Sequence, residues 1–122
     1  MKRNPTKTLK NKISVKPLSI NRAFQGRRFK TKEYKDYEEE LLLILPHIKI
    51  PAGKLKVYYE VGYSNKLSDI DNFIKPFQDI LQTKYGFDDK MIYKMEVEKN
   101  IVDKGEEYIV FSIKKWKQKK KD

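Results

Sequence analysis

Asp69, Asp71 and Asp79 crowd into the stretch LSDIDNFIKPFQDI, residues 67–80, with Lys75 among them, and a second acidic pair, Asp88 and Asp89, follows in GFDDKMI. On extended chain, positions two apart face the same side, so Asp69 and Asp71 can aim their carboxylates at one point. Carboxylates held that close repel one another and at least one becomes hard to ionise, unless a cation neutralises them. Oxygen donors in a chain with no cysteine and a single histidine suit Mg²⁺ or Mn²⁺ rather than zinc. A metal there would be the largest local charge and would reverse the sign that an approaching phosphate meets. It could polarise a phosphoryl oxygen and supply hydroxide for in-line attack, with Lys75 stabilising the developing negative charge. The chemistry so indicated is phosphodiester hydrolysis.

Plainer roles exist for each residue. A D-x-D motif alone is weak, and Asp71 could simply cap the helix that follows. Lys75 could pair with Asp71 or Asp79 at helical spacing. Asp79 reads as a support that holds Lys75, Asn72 as a further supporting residue, and Asp88 as a turn residue. His47 stands in a loop and reads as structural or incidental. Tyr58, Tyr59 and Tyr63 read as sheet residues rather than stacking platforms.

The elements that must position these groups are legible from periodicity. Phe73, Ile74, Phe77, Ile80 and Leu81 fall on one side of a helix over about 72–84, with Asp71, Lys75, Gln78, Asp79 and Gln82 opposite. Pro76 sits in its first turn and Gly86 is placed to end it. A preceding helix starts at Thr31, carries Tyr34, Tyr37, Leu41, Ile44 and Leu45 at helical spacing, and stops at Pro46. Leu55, Val57, Tyr59, Val61 and Tyr63 alternate along a strand. Further strands are expected at 13–15, at 91–99 and at 107–115, the last two joined by a turn around 103–105. Residues 17–34 read as a basic loop or loose hairpin, and 1–11 and 116–122 as flexible basic tails. The expected fold is α+β: one domain over residues 1–122, with a mixed sheet of about four strands and two helices packed on it.

That reading raises a geometric question about Asp89. A helix of about 13 residues carries the chain roughly 20 Å from Asp71, and residues 85–88 span at most about 14 Å. Asp89 of the same chain reaches Asp71 only if the helix is shorter or slants back; otherwise Asp89 comes from a partner subunit. Both arrangements stay open at this level.

Charge names the partner class. With 28 Lys+Arg against 17 Asp+Glu, the formal charge is +11, and a pI near 9.7 favours a polyanion, nucleic acid first. Asn21, Arg22, Arg27, Arg28 and Lys30 form the densest local group for contacting DNA, through phosphates that position without specifying sequence. No apolar run is long enough for a membrane span, and the start MKRNPTKTLKNK lacks the apolar segment of a signal peptide. The absence of cysteine excludes a disulfide scaffold and fits a cytoplasmic location. No membrane partner and no nucleotide cofactor are expected.

DIDNFIKPFQDIL followed by GFDDKMI resembles the motif set of RusA-type Holliday junction resolvases, many of them encoded by phages and prophages. The match runs residue by residue through Asp69, Asp71, Asn72, Lys75, Asp79, Asp88 and Asp89, and PLSINRAFQGRRFKTKEYKDY is similar to the family's N-terminal region, with Asn21 in the matching place. The resemblance spans about residues 12–113, of which 69–92 is specific. It implies a Mg²⁺-dependent homodimer that cuts four-way DNA junctions at two symmetric phosphates in recombination and repair. By the same resemblance Asp69, Asp71 and Asp89 are the catalytic, metal-holding acids and Lys75 assists. Two other readings compete: a catalytically silent nucleic-acid-binding module, and a metal-dependent nuclease acting on a flap, a nick or RNA.

Overall fold

The structure, a computed structural model, describes residues 10–26 and 29–117. In chain order these form β1 (Asn11–Ile13), α1 (Ile20–Ala23), β2 (Phe24–Gln25), β3 (Phe29–Lys30), α2 (Lys32–Ile44), β4 (Leu55–Tyr63), α3 (Ile74–Tyr85), a 3₁₀ turn (Asp89–Met91), β5 (Ile92–Ile101) and β6 (Tyr108–Lys115). The main sheet has four strands in the order β1-β6-β4-β5, and β2 pairs with β3 in a separate two-residue ladder. It is a mixed sheet in an α+β fold: β4 runs antiparallel to β6 and parallel to β5.

Local chemistry accounts for the helices. Thr31 caps α2, its side chain accepting from the backbone of Tyr34 at 3.1 Å, and Pro46 follows the last turn, where it can extend no ladder. Gly86 ends α3 in the left-handed region at φ 74°, which costs glycine little. Pro76 lies within the first turn, where no intrahelical donor is lost.

The core lies between the helices and one face of the sheet. Tyr59 meets Phe73 and Phe77 edge-on at centroid distances of 5.6 and 6.0 Å, and Phe77 meets Phe111 at 5.8 Å. Edge-to-face pairs of this kind add about 0.5–1.5 kcal/mol each beyond simple burial. Phe73, Phe77, Ile80 and Leu81 are fully buried, as their spacing predicts. No helix among the described residues is long and apolar enough to cross a membrane.

Four expectations need correction. Asn11 belongs to β1, which pairs with β6 and ends at Ile13, so residues 10–11 are not part of a loose tail; Lys10 stacks over the Tyr58 ring at 4.3 Å. The remaining tail residues, 1–9 and 118–122, lie outside the described residues. The segment 17–30 contains a short helix as well as a hairpin, because Ser19 accepts from the backbone of Arg22 and starts a turn. The helix expected from residue 72 starts at Ile74, because 69–73 make tight turns of their own, Asn72 N to Asp69 O and Ile74 N to Asp71 O. Phe73 occupies the N-cap without a side-chain bond, so Asp71 does not cap the helix.

Finally, β5 and β6 follow one another in sequence yet are not neighbours. β4 lies between them, and the connection is pinned across its end by Val102 N to Tyr63 O at 2.8 Å and Ser64 Oγ to Glu107 at 2.7 Å. β4 carries the most continuously buried strand pattern of the sheet, which suits a central position with partners on both edges.

Candidate metal and nucleic-acid site

The loop 64–73 leaves the end of β4 and carries the acidic pair. Its shape comes from bonds at both flanks. Asn65 accepts from Leu67 N at 2.8 Å. Lys99 reaches over from β5 to donate to Ser68 O at 2.6 Å and Lys66 O at 3.3 Å. Ile20 N donates to Asn72 O at 2.9 Å, which fixes the far side of the loop to α1. Asp69 and Asp71 are exposed beyond these anchors. Both carboxylates lie close enough to Tyr63 to oppose ionisation of its phenol, whose pKa is pushed up to about 12, chiefly by burial.

Lys75, in the first turn of α3, pairs with Asp79 at 2.8 Å. This is the holding role expected of Asp79, one helical turn on. The same turn is tied to α2 by the Tyr34 hydroxyl, which donates to Pro76 O at 3.2 Å. Lys75 therefore projects from a fixed turn just beyond the acidic loop.

The second acidic pair sits elsewhere. Asp88 caps the 3₁₀ turn, accepting from Lys90 N at 3.0 Å, and acts as the turn residue its type suggests. Asp89 opens that turn and is exposed. The turn leads into Ile92, whose register partner is Leu55 at the start of β4, whereas the Asp69–Asp71 loop leaves β4 after Tyr63. The nine residues of β4 stand between, about 27 Å at the usual rise. α3 returns the chain down the sheet before β5 begins, as a parallel crossover must. One chain thus presents Asp69 and Asp71 at one end of the sheet and Asp89 at the other.

The donor chemistry of Asp69 and Asp71 fits a hard divalent cation, being exposed, anionic and all-oxygen. Among the described residues no cluster of three or more metal-ligating side chains occurs. A single chain brings two carboxylates to this point, not three.

The family model of endodeoxyribonuclease RusA matches residues 13–111. The chain belongs to the endodeoxyribonuclease RusA family. No curated protein matches it. The matched region contains both acidic pairs, Lys75, Asp79 and the whole basic segment, and it places the chain among the endodeoxyribonucleases, which hydrolyse DNA within the strand.

In this RusA-family chain the basic segment lies against the acidic loop through the Ile20–Asn72 bond. Asn21 is exposed on α1. Arg22 is engaged by Glu33 at 3.0 Å, and Lys30 by Glu38 at 3.5 Å with its ammonium 5.3 Å from the Tyr34 ring. Both cations remain substantially exposed, so a phosphate could draw them from these weak surface pairs. Arg27 and Arg28 lie outside the described residues. Beside the loop opens a cleft of about 650 Å³ whose lining includes Lys16, Arg22, Tyr37, Tyr63, Asn65 and Asn72. The hydroxyls of Tyr37 and Tyr63 are buried there without a completed hydrogen bond.

Lys99 is the functional neighbour that sequence reasoning missed. One signal was available: it occupies the face of β5 shared with Val97 and, across the register, with Val61. A lysine on an apolar face needs a polar partner.

Proposed function

We propose that this chain is a Mg²⁺-dependent endonuclease that cuts four-way DNA junctions as a two-fold dimer, in the service of recombination and repair. In each site Asp69 and Asp71 come from one subunit and Asp89 from the other, and these three carboxylates hold the metal. The observation that carries the reading is the separation of the two acidic sets along β4, in a chain whose family is an endodeoxyribonuclease family. An acid set divided between the ends of one subunit is completed only by a second subunit, and a dyad then supplies two sites for two symmetric phosphates.

Bound metal supplies a Lewis acid and an activated water. The chain's own residues do the rest. Lys75, steadied by Asp79 at 2.8 Å, offers a positive charge to a phosphate oxygen beside the acidic loop. Asn21, Arg22, Arg27, Arg28 and Lys30 hold the backbone of a DNA arm, so binding weakens steeply with salt as counterions are no longer released. Lys99 and the backbone of Ile20 keep the loop in place from two sides.

The test is cleavage of a labelled synthetic four-way junction against linear duplex, with Mg²⁺, with EDTA and with Asp71→Asn. Paired symmetric nicks that need both the metal and Asp71 support the reading. Tight junction binding without cutting under any divalent metal would leave a binding protein in its place. Mixed dimers of Asp69→Asn and Asp89→Asn chains test the composite site. In trans, one site collects both lesions and the other none, so one nick per junction survives; in cis, every site carries a lesion and cutting is lost.

A further inference from the structure

β5 is the outer strand of the sheet, and one side of its ten residues has no strand partner among the described residues. Edge strands are usually protected by being short, by proline or by a strong bulge. IYKMEVEKNI is long and contains neither proline nor glycine. It is also where apolar surface is left open: Tyr93 is 55% exposed, Met95 37% and Ile101 51%. A strand with these properties is built for addition of another strand.

We infer that β5 pairs antiparallel with β5 of a second copy, joining the two sheets into one, and that this pairing is what completes each acidic site. The inference rests on the composite-site reading above and specifies the surface that produces it. Asp89 stands just before the first residue of β5, while Lys99, near its other end, grips the loop that carries Asp69 and Asp71. Antiparallel pairing about a dyad sets the first end of each strand beside the last end of the other. It therefore brings Asp89 of each subunit to the Asp69–Asp71 loop of its partner, twice, with no further rearrangement. A parallel neighbour would align like ends and leave both sites incomplete.

Charge selects the register. Centring the dyad on Glu96 sets Lys94 opposite the partner's Glu98 and Met95 opposite the partner's Val97, one pair on each face. The two Glu96 side chains then meet at the dyad, where Lys56, at 3.7 Å from its own Glu96, offsets their repulsion. Centring on Val97 instead opposes Glu96 to the partner's Glu98 twice, which like charge disfavours.

The chain has no cysteine, so introduced thiols report without interference. In an antiparallel pair, directly opposed residues have Cα atoms about 4.5–5.5 Å apart, within disulfide range. Oxidised Glu96→Cys should run as a linked dimer and still cut junctions, and Lys94→Cys mixed with Glu98→Cys should link only as the heterodimer. Leu43→Cys, 82% exposed on α2, should stay single. Met95→Arg should halve the solution mass of the uncrosslinked chain. If neither thiol design links while the native mass is that of a dimer and mixed Asp69→Asn and Asp89→Asn chains still complement, the composite site stands and β5 is the wrong surface. A wild-type chain that cuts junctions as a monomer overturns both.

Discussion

Lys99 donates to the carbonyl of Ser68 at 2.6 Å, and Ser68 immediately precedes Asp69. A strand residue thereby holds the loop that carries the acidic pair, and the lysine touches neither carboxylate. Charge-assisted bonds of this kind contribute about 1.5–3 kcal/mol when well formed, less here because the pair is partly exposed. Lys99→Met should therefore unfold only slightly more easily. Its cleavage rate should fall roughly 10- to 100-fold, the usual cost of losing an outer support of a metal site, and its Mg²⁺ requirement should rise. Lys99→Arg should recover part of both. A Lys99→Met chain with an unchanged Mg²⁺ titration would show that the contact is merely structural.

Lys75 and Asp79 separate stability from chemistry. Their exposed pair at 2.8 Å is worth about 0.3–0.5 kcal/mol as an i,i+4 contact. Lys75→Ala should leave the urea midpoint almost where it was and reduce junction cleavage by roughly 100-fold, the loss typical of one transition-state cation or donor. Asp79→Asn frees the lysine without removing it, so a smaller loss is expected. Single-turnover rates on the junction, compared with unfolding curves of the same samples, check the pair of outcomes.

Gly62 faces Tyr108 directly across the β4–β6 ladder. A Cβ at residue 62 would meet the Tyr108 ring at 2.7 Å, closer than real side chains approach. Gly62→Ala should cost about 1–3 kcal/mol through the displaced ring. The ring is itself held by its hydroxyl, which bonds Glu60 and Asn100. Adding Tyr108→Ala should make the Gly62→Ala step nearly neutral. Denaturant titration of the four-member cycle gives the coupling directly, and simple additivity would disprove the contact.

Burial raises the phenols of Tyr63 and Tyr85 to about 12, from an ordinary value near 10. The unfolded chain therefore gives up these protons at lower pH than the folded one. The stability they contribute is complete below pH 10 and is lost as pH rises from about 10 through 12. Alkaline unfolding should be steep in that window, as ultraviolet titration of tyrosinate beside circular dichroism would show. Tyr63→Phe should flatten part of the slope. At neutral pH it should be neutral or slightly stabilising, because the buried hydroxyl it removes completes no hydrogen bond. Marked destabilisation at pH 7 would mean that the hydroxyl has a partner after all.

The sequence by itself determined the pieces whose causes are local. Thr31 and Pro46 bound α2 because a hydroxyl can cap a helix and a proline cannot extend one. The spacing of Phe73, Phe77, Ile80 and Leu81 made one apolar stripe, and Gly86 could take the left-handed turn that ends α3. Alternation along 55–63 announced a strand, and the run from Asp69 to Lys75 announced an acidic site with a cation beside it. Other features depended on contacts between distant segments. That Ile74 rather than Asn72 begins α3 follows from the turns at Asp69 and Asp71, and that α1 lies on the acidic loop follows from one backbone bond. The order of the strands was the largest of these. β5 and β6 are consecutive in sequence, yet strand pairing depends on which strand has both faces covered and both edges satisfied, so β4 came between them. Because α3 carries the chain back before β5 begins, β4 and β5 run parallel, and Asp89 ends a full strand length from Asp69 and Asp71. Spacing along the chain could show that these acids belong to one chemistry; only the direction of a strand could put them at opposite ends of one subunit.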